Sequence, residues 1–151
     1  MIAYHGKPEL KAAMLAEMAW HREQDKIVQG TYGEGSNGDW RGCSIGCAVH
    51  SLMRLTGEKL DTSSHRTLEE KLGIPEALWH INDAIFENLP IEQAREWPGV
   101  FLGAVQVGAN LSMVAPQFQR WLLVDPTDGV RFTDSAKQAA KLLEFLMMAK
   151  A

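Results

Sequence analysis

Prolines and glycines cut this chain into short stretches, and between the cuts the apolar residues recur every three or four positions. That pattern permits short amphipathic helices and disfavours a sheet, whose strands need apolar residues in alternation. Pro8 opens a first helix and Gly30 closes it, with Leu10, Met14, Met18 and Ile27 or Val28 at helical spacing. A second runs from Cys43 through Ile45, Val49, Leu52, Met53 and Leu55 to Gly57. Ser63 or Ser64 caps a third, which Gly73 ends after Leu72; Pro75 opens a fourth with Leu78, Ile81, Ile85 and Phe86 inward, and Pro90 stops it. Two short helices over 91–97 and 98–107 follow, then one from about Leu111 to Leu123 with Pro116 inside. Phe132 and Thr133 have the character of a staple and cap for a last helix through Ala149. The turn residues Asp125-Pro126-Thr127-Asp128-Gly129 also permit a short β-hairpin near residues 121–132, although Phe118, Trp121 and Leu122 keep the helical period. The expected fold is all-α, an irregular array of six or seven helices forming a single helical domain over residues 1–151.

Composition places limits on partners. At 46% hydrophobic and 23% charged, a chain of 151 residues can bury a core without metals or disulfides to staple it. The N-terminal Met1-Ile2-Ala3-Tyr4-His5-Gly6-Lys7 lacks a signal-type apolar stretch, and no apolar run approaches the roughly 18 residues of a membrane span, so a cytoplasmic protein is expected. The net charge is −4, and the excess is concentrated: nine acids against four bases lie between Glu58 and Glu96. Such a field repels phosphate backbones, so a small-molecule, peptide or protein partner is expected rather than nucleic acid or membrane. Neither cofactor nor oligomeric state is written in the pattern.

The reactive side chains gather around Gly42-Cys43-Ser44-Ile45-Gly46-Cys47-Ala48-Val49-His50. On a helix Cys43, Cys47 and His50 would share a face, too far apart for a disulfide, so reduced thiols are expected. Four readings follow. Cys43, behind a glycine-rich loop (Thr31 to Gly42) and at a helix start, can be a nucleophile, with His65 or His80 as base oriented by Glu69 or Asp83. Cys43, Cys47, His50 and His65 can hold a structural zinc, though C-x3-C-x2-H is not a standard zinc spacing. The loop can close over a non-catalytic pocket. Or both cysteines are small core residues, His50 is half-exposed, and Gly46 merely lets two helices approach.

Other constellations are weaker. Glu17, His21 and Asp25 form a stripe read as a solvated face. Asp83 and Glu87 with His65 and Glu69 suggest a carboxylate-rich metal site, but without a repeated Glu-x-x-His element. Trp40 and Trp79 can stack on a ligand, while Trp97 and Trp121 read as core. Phosphate-loop, G-x-S-x-G and H-E-x-x-H motifs are absent.

The GC-x-x-GC-x-x-H run, with HRTLEEKLGIP (65–75), NDAIFENLP (82–90) and GANLSMVAPQFQRWLLVD (108–125), resembles a set of small bacterial proteins that brings no established activity. The resemblance implies a shared fold and a shared polar set at Cys43, Cys47, His65, Glu69, Asp83 and Glu87. The leading expectation is a polar pocket acting on a small molecule or peptide as a cysteine-dependent hydrolase or transferase, with Cys43, His65 and Glu69 catalytic. Trp40, Arg41, Cys47, His50, Trp79, His80, Asp83 and Glu87 would bind. The alternative from another class is a non-enzymatic acidic module that binds a partner protein.

Overall fold

The computed structural model describes residues 1–36, 38–124 and 134–150. Among them are seven α-helices and no strand: α1 (Pro8–Glu23), α2 (Ser44–Thr56), α3 (His65–Leu72), α4 (Glu76–Asn88), α5 (Ile91–Ala104), α6 (Val114–Val124) and α7 (Ser135–Met148). The expected all-α array is therefore present. The suggested hairpin and the Phe132–Thr133 staple fall mostly outside the described residues; α6 stays helical through Val124, and the cap of α7 is Asp134, which accepts from Ala136 and Lys137 N–H.

Several helices start and stop where local chemistry dictates. Ser64 Oγ accepts the Thr67 N–H, and Gly57 and Gly73 take left-handed backbone after α2 and α3. Helix α1 stops short of Gly30. Asp25 adopts φ 51°, Asp25 N–H donates to the Arg22 carbonyl and Lys26 N–H to the His21 carbonyl, a complete Schellman closure. Lys26 and Val28 then run beside Gly42: Gly42 N–H donates to the Lys26 carbonyl at 2.9 Å and Val28 N–H to the Gly42 carbonyl at 3.0 Å. Ile27 thus reaches the core from extended backbone. Around Pro98 the expected pair of short helices is one continuous helix, α5, with Pro98 buried inside it.

Helix α4 is the hub. It packs against α2, α3, α5, α6 and α7, while α1 lies on α2 and α5. Its inward face buries Leu78, Trp79, Asn82, Ile85 and Phe86. The next position round, carrying Asp83 and Glu87, faces the start of α2. Among the described residues no helix is long and apolar enough to cross a membrane.

Candidate functional site

The loop before α2 is strapped to that helix by two backbone contacts. Cys43 N–H donates to the Thr31 carbonyl at 2.6 Å. The Tyr32 carbonyl oxygen lies so close to Gly46 that a Cβ there would sit 1.8 Å from it. Gly46 therefore admits the loop, not a second helix as expected. Cys43 itself is the N-cap, in extended backbone (φ −71°, ψ −176°), so the helical period that links Cys47 to His50 does not extend to it.

Released from that face, the Cys43 side chain meets α4. Cys43 Sγ and carboxylate oxygens of Asp83 and Glu87 all lie within 4.8 Å of one another. With Gly30, Thr31 and Tyr32 they line a cavity of about 220 Å³. Tyr32 Oη donates to Asp83 Oδ2 at 2.9 Å, and His65 Nε2 lies 3.2 Å from the same oxygen. Asp83 Oδ1 is buried and has no partner among the described residues. Glu87 Oε2 accepts the Gly30 N–H at 2.9 Å, and the neighbouring Asn82 amide donates to Ser44 Oγ at 2.9 Å, pinning α4 to the first turn of α2. Burial, with the Asp83 and Glu87 charges adding to it, pushes the Cys43 thiol up to about 11 despite the Gly46 and Ile45 N–H groups nearby. Burial likewise raises Glu87, and burial with the Asp83 hydrogen bond raises Tyr32 to about 12.

A second polar cluster lies further along α2. His21, fully buried, faces the Glu17 carbonyl oxygen through Nδ1 at 2.8 Å and His50 Nδ1 through Nε2 at 2.8 Å. Trp40 stacks on His50 with ring centroids 3.9 Å apart. Lys26 donates to the Gly38 and Trp40 carbonyls, and Arg54 pairs with Glu17 at 2.6 Å while lying over the Trp20 ring. Burial lowers His21 to about 4 and also lowers His50.

The expected site is thus divided. Asp83, not Glu69, bonds His65; Glu69 Oε2 instead accepts the Glu76 N–H at 2.5 Å and caps α4. Both nitrogens of His65 are engaged away from the sulfur, Nδ1 facing the Ser63 carbonyl and Nε2 facing Asp83. The quartet Cys43, Cys47, His50 and His65 does not assemble: Cys47 is buried with Sγ donating to the Gly42 carbonyl at 3.3 Å, and His50 faces His21. Trp79 is core, its Nε1 donating to the Ile74 carbonyl beside Phe101, so it cannot stack on a ligand. His80 stacks on His65 at 4.0 Å, Arg41 pairs with Glu34, and both are exposed. Both cysteines are free, as expected.

The solvated stripe also fails at its centre. Glu17 and Asp25 are paired with Arg54 and Arg95, but His21 is in the core. Its signal was available, because His21 follows Met14 and Met18 by seven and three residues and continues their buried stripe. Tyr32 and Lys26 carried no comparable signal, since only the tertiary path of the chain between α1 and α2 brings them to the two clusters; Arg54 follows His50 by four residues on α2, a helical spacing that was legible. No protein-family model matches the chain, and no match is found among curated proteins or solved structures.

Proposed function

We propose that the Cys43 pocket binds a divalent transition-metal ion of the zinc class, held by Cys43 Sγ and by one carboxylate oxygen each from Asp83 and Glu87. The observation that carries this reading is the approach of those three donors to within 4.8 Å of one another, while Asp83 Oδ1 is buried and has no partner among the described residues. Sulfur and oxygen ligands of a tetrahedral zinc stand roughly 3.6 Å apart, so closure needs at most about an ångström of side-chain movement. Tyr32 and His65 both hold Asp83 Oδ2, which orients the carboxylate and leaves Oδ1 for the ion.

With three protein donors, an ion held there would have room for a water or a substrate oxygen from the cavity. That is the arrangement of a reactive site rather than a closed structural one, and hydrolysis of a small molecule is the chemistry it suits. A thiol nucleophile suits the pocket less well. Neighbouring carboxylates oppose thiolate formation, and the Cys43 N–H that would serve an oxyanion is already given to Thr31. The same carboxylates favour a bound cation.

Titrating metal-free protein with zinc in two buffers of different ionisation heat tests the reading. One ion per chain is expected, with about one proton released from the Cys43 thiol near neutral pH. Cobalt(II) should give a thiolate-to-metal charge-transfer band that Cys43→Ser abolishes and Asp83→Asn or Glu87→Gln weakens. Failure to bind zinc, or a cobalt spectrum that Cys43→Ser leaves unchanged, refutes it.

A further inference from the structure

The second cluster borders a cavity of about 530 Å³ between α1, α2 and the loop, a volume typical of small-molecule sites. Trp20, Lys26, Trp40, His50, Arg54 and Thr62 are among the residues that line it. The hydrogen bonds behind His50 fix which of its nitrogens carries a proton. The Glu17 carbonyl can only accept, so the proton of neutral His21 sits on Nδ1 and its Nε2 is a lone pair. That lone pair must receive a hydrogen from His50 Nδ1, which leaves His50 Nε2 as a second lone pair, without a partner among the described residues. Ser51 does not disturb the chain, since its hydroxyl donates to the Cys47 carbonyl at 2.8 Å. Trp40, held close against Gly33 and Gly42, locks the imidazole plane.

Two cations flank this acceptor. Lys26 spends two of its three N–H groups on carbonyls. Arg54 uses Nε for Glu17, and its terminal nitrogens make no hydrogen bond among the described residues. Glu17 neutralises part of the arginine charge, leaving a positive site in an acidic chain. Positive charge calls for an anion, whereas a lone pair at His50 calls for a group that brings its own hydrogen. A carboxylate or sulfate offers the first alone; a protonated phosphate offers both.

We propose that this cavity is a binding site for a phosphate group that carries a proton, free or on a small organic ester, with its charge on Lys26 and Arg54 and its hydroxyl donating to His50 Nε2. His21 is a positioning residue that keeps His50 in the accepting tautomer. The inference is independent of the metal reading, because no donor of the Cys43 pocket takes part.

Nitrogen-15 NMR of the histidine rings at about pH 6.5, where phosphate monoesters are partly protonated, tests it. Inorganic phosphate should shift the His50 ring saturably, and sulfate, alike in shape but without a hydrogen, should bind at least about tenfold more weakly. Arg54→Gln should weaken phosphate binding while the His21–His50 tautomer pattern stays intact. His50→Gln, whose amide can donate or accept, should bring the two anions to within about twofold of each other. Glycerol phosphate binding more tightly than inorganic phosphate assigns an organic ester, and the reverse order assigns the free anion. Equal binding of phosphate and sulfate by the native chain, binding of neither at millimolar concentration, or a ring pattern showing His50 Nε2 protonated overturns the proposal.

Discussion

Acidification should destabilise the fold chiefly through one side chain, His21. Burial holds its imidazole neutral in the native state, lowering its pKa from the ordinary 6.5 to about 4, while the unfolded chain titrates normally. Between those values the unfolded state binds a proton that the folded state refuses, so stability is fully present above about pH 6.5 and is lost as pH falls towards 4. The fall from 6.5 to about 4 corresponds to about 3 kcal/mol, a large share of the roughly 5–15 kcal/mol that hold a domain folded. The physical source is visible in the contacts: the ring is fully buried, its Nδ1 hydrogen goes to a carbonyl, and a proton on Nε2 would confront the His50 Nδ1–H.

Urea unfolding at half-unit steps from pH 7 to 4.5 measures the effect, with His21→Phe as the control that fills the space but does not titrate. The variant should lose about 1–2 kcal/mol at pH 7, where the His50 bond is gone, and should then decline less steeply, so that the two curves approach and cross as pH falls. Contributions from groups common to both proteins, such as the raised Glu87, largely cancel in the difference. Curves that run parallel within about 0.5 kcal/mol would mean that His21 is not held neutral, and the tautomer argument for His50 would fall with it.

Three other perturbations address the rest of the design. Gly46→Ala should cost about 3 kcal/mol, because its methyl group meets the Tyr32 carbonyl; thermal melting reads the loss, and faster proteolysis near Tyr32 would show the loop lifting. Metal-free protein should resist a thiol-reactive disulfide reagent near neutral pH, since Cys43 and Cys47 are buried and both thiols are raised; rapid native-state labelling of Cys43 would restore the nucleophile reading. Glu69→Ala should lower stability by about 1 kcal/mol through its lost cap on α4 yet leave zinc stoichiometry unchanged, whereas altered binding would place Glu69 in the pocket after all.

Helix existence was legible wherever a stop signal coincided with the end of an apolar stripe, as at Gly57, Gly73 and Pro90. It misled where one signal was stronger than the one used. Gly30 looked like the end of α1, but Asp25 took the left-handed position five residues earlier and Ile27 kept an apolar spacing that served extended backbone equally well. Pro98 looked like a boundary, yet α5 runs through it, since a proline removes one hydrogen bond and burial of Trp97, Phe101 and Leu102 outweighs that loss. Of the candidate site, Cys43, His65, Asp83 and Glu87 were legible as chemistry but not as a constellation. Pairing His65 with Glu69 followed from their four-residue spacing, a local rule that ignored a competing demand: the first N–H groups of α4 need an acceptor, and Glu69 is the one in reach.

The division of one expected pocket into two follows from the same boundary effect at Cys43. Seven residues separate it from His50, about two helical turns, and on an unbroken helix the pair would look in one direction some 10 Å apart along the axis. Because Cys43 is the cap rather than the first helical residue, its side chain leaves that face and turns to α4, whose acidic residues complete a cation site. His50, inside the helix, keeps the face that looks to α1 and meets His21, Lys26 and Arg54. The cap and the middle of α2 therefore present opposite electrostatics, negative at Cys43 and positive around His50, with Cys47 buried between them and bonded to the Gly42 carbonyl. The loop serves both pockets: Thr31 and Tyr32 close the first and Trp40 the second. Through this shared loop zinc binding should change the affinity for phosphate, and linkage then requires phosphate to change the affinity for zinc by the same factor; paired titrations in which neither ligand affects the other would show that the two pockets are uncoupled.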